Sequence, residues 1–305
     1  MKTFIYFFIC LAVILSFEQS CSFASDRPDI NDTLSFVGST PGDDFIKSRL
    51  GIDKNIKVDF IKWDLKLGEY KFDFVLNIIF GESQPNTLGF KNGGQRRTYK
   101  GYVTTSKYFD NPIYHLEFDQ FKTEISMVRV TDNLWHLLTP DKILMIGNGG
   151  WSYTLNNKNP VKYPGYLATL SYPIQLNESL RQVVYDGRTP CQDFAKELQM
   201  NASPDCFKLK WRLTLNRDSV TYQPSTYTMR TIIDNIPSEV SGNWKIIKGS
   251  GSNSHVVMYQ LEREQPGQTI SLMVGDGNVL FFIKKDQDLF IGNDNFSFTM
   301  NRKLK

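Results

Sequence analysis

The stretch Leu144-Met145-Ile146-Gly147-Asn148-Gly149-Gly150-Trp151-Ser152-Tyr153-Thr154-Leu155-Asn156 returns later in the chain as Leu289-Phe290-Ile291-Gly292-Asn293-Asp294-Asn295-Phe296-Ser297-Phe298-Thr299-Met300-Asn301. Extended towards the N-terminus, the match runs without a gap from Tyr114 to Asn156 against Tyr259 to Asn301. Of these 43 positions 15 are identical, where ordinary composition gives about three. The copies also open alike, since Gly38-Ser39-Thr40-Pro41-Gly42-Asp43-Asp44-Phe45-Ile46-Lys47 matches Gly187-Arg188-Thr189-Pro190-Cys191-Gln192-Asp193-Phe194-Ala195-Lys196. The chain is therefore a duplication of one domain of roughly 115 residues.

The periodicity inside each copy is that of strands. Ile61-Lys62-Trp63-Asp64-Leu65-Lys66-Leu67 and its mate Leu209-Lys210-Trp211-Arg212-Leu213-Thr214-Leu215 alternate apolar and polar residues, the mark of a half-buried strand. Runs of period two recur at 70–80, 113–118, 124–130, 133–138 and 151–155, and again at 226–233, 255–261, 269–274, 279–283 and 296–300. Each Thr-Pro reads as a helix N-cap followed by a first helical residue, with Asp43 or Gln192 three after the Thr completing a capping box. The expectation is an all-β chain. Each copy holds seven or eight short strands and one short N-terminal helix, as a small antiparallel barrel or sandwich. The boundaries are 1–24 for a signal segment, 33–157 for the first repeat, 158–184 for a proline-bearing linker and 185–305 for the second repeat.

The chain has 305 residues with 35 basic and 32 acidic side chains, and this balance gives no field that selects nucleic acid as a partner. Lys2 and the apolar run from Phe4 to Phe17 read as a secretory signal, too short to span a bilayer. Ser22-Phe23-Ala24 favours cleavage before Ser25, and the rival reading is lipidation at Cys21, which would attach the protein to a membrane. Cleavage leaves Cys191 and Cys206, an even number in an oxidising compartment and hence one structural disulfide. Both are absent together from the first copy, where Gly42 and Val58 stand in their places. A redox role would call for Cys-x-x-Cys, which the sequence lacks.

No catalytic set, metal site or cofactor is expected. His115, His136 and His255 fall opposite Gln260, Phe281 and Asp110, so no histidine belongs to a duplicated site. Gly147-Asn148-Gly149-Gly150 lacks the lysine and hydroxyl of a phosphate loop and reads as a turn, and Gly249 to His255 reads as a flexible loop. Lys91, Arg96, Arg97 and Lys100 read as a solvated hairpin tip. Trp63 and Trp211 are core packers by their alternation, with the lining of a ligand cavity as the alternative. Asp44 and Asp193, Lys47 and Lys196, Asn133 and Asn278, and Asp141 and Asp286 are shared by both copies and suit caps and turns.

Three stretches resemble the N-terminal domain of the NlpE family, copper-resistance and envelope-stress lipoproteins, especially members from Bacteroidetes-type bacteria. These are Thr189-Pro190-Cys191, Trp211-Arg212-Leu213-Thr214-Leu215, and Asn295-Phe296-Ser297-Phe298-Thr299-Met300-Asn301-Arg302. The resemblance implies two tandem lipocalin-like β-barrels in the periplasm or cell envelope, without enzymatic activity. It implies a binding or sensing role through an envelope protein partner. The chain departs from the family in lacking Cys-x-x-Cys after Pro190 and any cysteine after Pro41. Barrel-like patterning rich in aromatics supports a second expectation, a carrier of a small apolar ligand.

Overall fold

The alternation around Trp63 places Ile61, Trp63, Leu65 and Leu67 on one face, and the structure buries all four in a single core. That structure is a computed structural model describing residues 34–68, 73–161, 170, 179–249, 255–263 and 269–304. The proposed signal segment, Cys21, and most of the Gly249 to His255 loop lie outside the described residues, as do most positions of the linker.

The first copy runs β1 (Ser35–Pro41), α1 (Asp44–Arg49), β2 (Phe60–Leu67), β3 (Asp73–Gly81), β4 (Gln95–Tyr108), β5 (Asn111–Phe118), β6 (Glu124–Thr131), β7 (Leu134–Leu137) and β8 (Thr154–Asn157). The second runs β9 (Gln182–Thr189), α2 (Gln192–Glu197), β10 (Leu209–Arg217), β11 (Pro224–Ile233), β12 (Ile236–Lys248), β13 (Val257–Glu262), β14 (Thr269–Val274), β15 (Val279–Ile283) and β16 (Thr299–Arg302). Each set closes into an antiparallel barrel of eight strands. Closure comes where β8 pairs with β1, Val37 opposite Asn156, and where β16 pairs with β9, Asp186 opposite Asn301. Among the described residues no helix is long and apolar enough to cross a membrane.

Eight strands make a barrel just wide enough for side chains to fill. In the second barrel Phe194 sits within 5.6 Å, centroid to centroid, of the rings of Trp211, Phe282, Phe290 and Phe298. Trp63 and Trp211 belong to these cores, and each indole N–H donates to a threonine hydroxyl one strand away. The acceptor is Thr40 at 2.8 Å in one barrel and Thr189 at 2.9 Å in the other. Both rings pack in the cores, and Trp63 and Trp211 each also border a recess on the outer wall of their barrel.

That use of the threonines corrects the expected helix start. Thr40 and Pro41 end β1, and the helix begins later with Asp43 as N-cap, its carboxylate accepting from the Ile46 N–H at 2.9 Å. At α2 the N-cap is Cys191, which makes no side-chain capping bond. Here Gln192 ties the helix start to its loop by donating to the carbonyls of Ser203, Pro204 and Cys206. The buried faces of the helices, Ile46 in one barrel and Phe194 in the other, enter the cores.

Cys191 and Cys206 form the disulfide, with Cα atoms 5.7 Å apart. At the equivalent place in the first barrel a Cβ added to Gly42 would lie 2.3 Å from Val58 Cγ1. Direct contact between glycine and valine replaces the covalent link.

The basic stretch is also corrected. Lys91 lies in a 3₁₀ turn, Lys91–Gly93, and pairs with Glu82 at 2.9 Å, whereas Arg96, Arg97 and Lys100 are on strand β4. The second barrel opens with β9 at Gln182, inside the stretch expected to be linker.

Candidate functional site

The stretch that reveals the repeat also joins the two barrels. The Gly147 N–H donates to Asn301 Oδ1 at 2.8 Å, and the Gly292 N–H donates to Asn156 Oδ1 at 2.8 Å. Gly147 is the mate of Gly292 and Asn156 of Asn301, so the same bond is made twice with the copies exchanged. Thr154 and Thr299, also mates, meet hydroxyl to hydroxyl at 3.0 Å, and the mates His136 and Phe281 meet edge to face at 5.8 Å. Equivalent residues touching each other define a pseudo-two-fold axis, the arrangement of an isologous dimer interface. A buried apolar cluster surrounds it, containing Val128, Leu134, Leu144, Met273, Val279, Phe281 and Leu289.

His136 is a structural member of this seam. Its Nε2 faces the Met145 carbonyl at 2.9 Å and so carries the proton, leaving Nδ1 to accept from Thr154 Oγ1 at 2.9 Å. Burial pushes its pKa down to about 4. His115 lies on β5 between the hydroxyls of Ser106 and Ser126, at 2.7 and 2.9 Å, and burial lowers its pKa as well. His255 lies in the turn before β13. Among the described residues no group of three or more His, Cys, Asp and Glu is placed to hold a metal.

The recesses at the seam lie on the outer walls of the barrels. One of them, about 910 Å³, has as its floor two rows running across β1 to β4. One row is Lys62, Ile79 and Arg96, and the other is Val37, Asp64, Asn77 and Thr98. Its far wall is Ile291 to Asp294 of the second barrel. Lys62 donates to Asn295 Oδ1 at 2.6 Å and lies 3.5 Å from Asp294 Oδ2, and Ser39 donates to the Asp294 carbonyl at 2.7 Å. Asp64 Oδ1 is buried with no hydrogen-bond partner among the described residues.

The mate of this groove, about 340 Å³, lies on the second barrel. Its rows are Arg188, Lys210 and Ile232, and Asp186, Arg212 and Arg230. Asn148, Gly149 and Gly150 of the first barrel complete it. Arg212 grips Asp186 through two bonds, at 2.8 and 2.9 Å, which raises the guanidinium pKa. A third recess, about 160 Å³, lies between Trp151 and Phe296. Trp151 stacks on Phe60 at 4.7 Å and carries the Arg188 guanidinium 5.4 Å from its ring centre.

Of the residues lining these grooves, Arg96 and Arg97 read from the sequence as a solvated hairpin tip and Trp63 and Trp211 as core packers or cavity lining. Lys62, Asp64, Asn77, Lys210, Arg212 and Arg230 carry no signal of their own, because each is an ordinary polar residue on the outer face of a strand. The readable signal was the exchange of outward residues between aligned copies, Ser39 for Arg188 and Asp64 for Arg212. No family model, no curated protein and no solved structure matches this chain significantly.

Proposed function

We propose that this chain is an exported, non-enzymatic binding or sensing protein of NlpE-like type that engages an envelope protein partner through the groove along its seam. The observation that carries the reading is the placement of the large recess. It is walled by both barrels and lined by charged, amide and hydroxyl groups, while the barrel interiors are occupied by aromatic and aliphatic side chains. A mixed polar floor beside apolar patches at Ile79 and Ile291 suits a protein surface better than a hydrocarbon ligand. The disulfide fits an oxidising compartment.

The rival is a carrier that holds a small apolar ligand inside a barrel, and the packing of Phe194 against four other rings weighs against it. A photo-crosslinking side chain at Thr98, compared with and without Asn77→Trp to obstruct the groove, tests the reading in the native envelope. The expected result is one discrete protein adduct that the obstruction abolishes. An adduct pattern unchanged by Asn77→Trp, or an apolar small molecule retained in the native mass of the purified protein, would overturn it.

A further inference from the structure

The geometry points to the smaller recess, on the second barrel, as a binding site for an oxyanion group carrying two negative charges, a phosphate or a sulfate. This inference is independent of the protein-contact reading of the larger groove. Four basic side chains line the recess, Arg188, Lys210, Arg212 and Arg230, against one carboxylate from the same lining, Asp186. Arg212 already occupies that carboxylate with both of its bonds. Glu239 is the register partner of Arg230 but forms no ion pair with it among the described residues.

The strand register makes the excess sharper. Lys210 stands directly opposite Arg188, and Arg212 directly opposite Arg230. Like charges in such cross-strand positions repel and destabilise a sheet unless a counter-charge lies between or above them. The first barrel has neither repulsion, because Lys62 faces Ser39 and Asp64 faces Asn77.

The two barrels also differ in what the opposite loop supplies. Lys62 is met by Asp294 and Asn295. The matching loop positions facing Lys210 are Gly149 and Gly150, which carry no side chain, so the second copy lacks the acid and the amide that close the first. A Cβ added at Gly150 would lie only 3.5 Å from the Arg188 guanidinium carbon, so the glycine leaves space beside that cation. The loop amides are not the ligands, since the Gly150 and Trp151 N–H groups already donate to Asn148 Oδ1.

Arg188 is held in place over Trp151. Burial lowers its pKa, as expected for a cation whose compensating charge is missing. Guanidinium and ammonium donors lining one recess give charge-assisted hydrogen bonds to a tetrahedral oxyanion seated among them.

The test is calorimetric titration of the whole protein with inorganic phosphate and with sulfate, at ionic strength fixed by chloride, beside flotation on vesicles containing phosphatidic acid, whose phosphomonoester can carry two negative charges. Saturable binding of one ion per chain is expected, weakened at least tenfold in Lys210→Gln/Arg230→Gln and unchanged in Lys100→Gln. A lipid headgroup as the source would add vesicle flotation lost in the same double variant, and a free ion would not. Thermal melting confirms that each variant is folded, and Lys210→Gln alone serves if the double variant is not. Binding that survives the double variant, or neither saturable binding nor flotation in the native protein, would overturn the assignment.

Discussion

Each barrel core buries a tryptophan at the same place in the repeat, and its indole N–H must find a partner there. The indole N–H of Trp63 has Thr40 Oγ1 as partner, and that of Trp211 has Thr189 Oγ1. Removing the acceptor strands a buried donor, so Thr40→Val and Thr189→Val should each cost about 1–3 kcal/mol in urea unfolding, while Thr→Ser should cost less. His136 is the corresponding polar residue of the seam. Its folded pKa of about 4 lies below the ordinary 6.5. Between those values the unfolded chain binds a proton that the folded chain refuses, so its contribution is complete above pH 6.5 and lost as pH falls towards 4. The whole effect is about 3 kcal/mol. Denaturation midpoints measured across that window should fall with pH in the native protein. The slope should flatten in His136→Phe, which installs the residue that the second copy carries at the same place.

At the scale of elements, the two copies solve the same loop closure in different ways. Where Cys191 and Cys206 are bonded, Gly42 leans on Val58 with no room for a Cβ. Gly42→Ala should therefore destabilise the first barrel by about 1–3 kcal/mol through overpacking. Gly42→Cys with Val58→Cys should close a second disulfide, detected as the loss of two free thiols, and reduction of the native bond should cost about 3 kcal/mol. The cysteine pair was legible because the aligned copies lose both members together. The central strands were legible through alternation, but β1, β4, β9 and β12 were not. Ser35–Pro41 contains glycine and proline, and Gln95–Tyr108 is charged on its outer face with little apolar inside, so neither shows a clean period of two. Thr-Pro mimicked a cap because the threonine is needed by a tryptophan that the chain reaches only some twenty residues later, a pairing invisible to local pattern.

At the scale of the molecule, the residues most alike between the copies turn out to hold the barrels together. In the sequence Gly147 reads as part of a turn and Thr154 and Thr299 as part of strands, with Asn156 and Asn301 only as ends of the matched stretch, since a single sequence does not reveal which surface faces a second domain. Their geometry is that of a two-fold interface in which each surface is complementary to its own copy. The second repeat, residues 179–305, has its own closed barrel, core and disulfide. Expressed alone it exposes Met273, Val279, Phe281 and Leu289, an apolar patch that a stable monomer does not leave in water. Sedimentation equilibrium should therefore find a symmetric dimer, with the Gly292 to Asn301 bond made twice and Phe281 packed on Phe281 at the axis. Asn301→Ala should weaken that dimer by more than tenfold, because it strands a buried N–H at both symmetry-related positions. A folded monomer at micromolar concentration would show instead that the seam depends on residues peculiar to the first copy, His136 foremost among them.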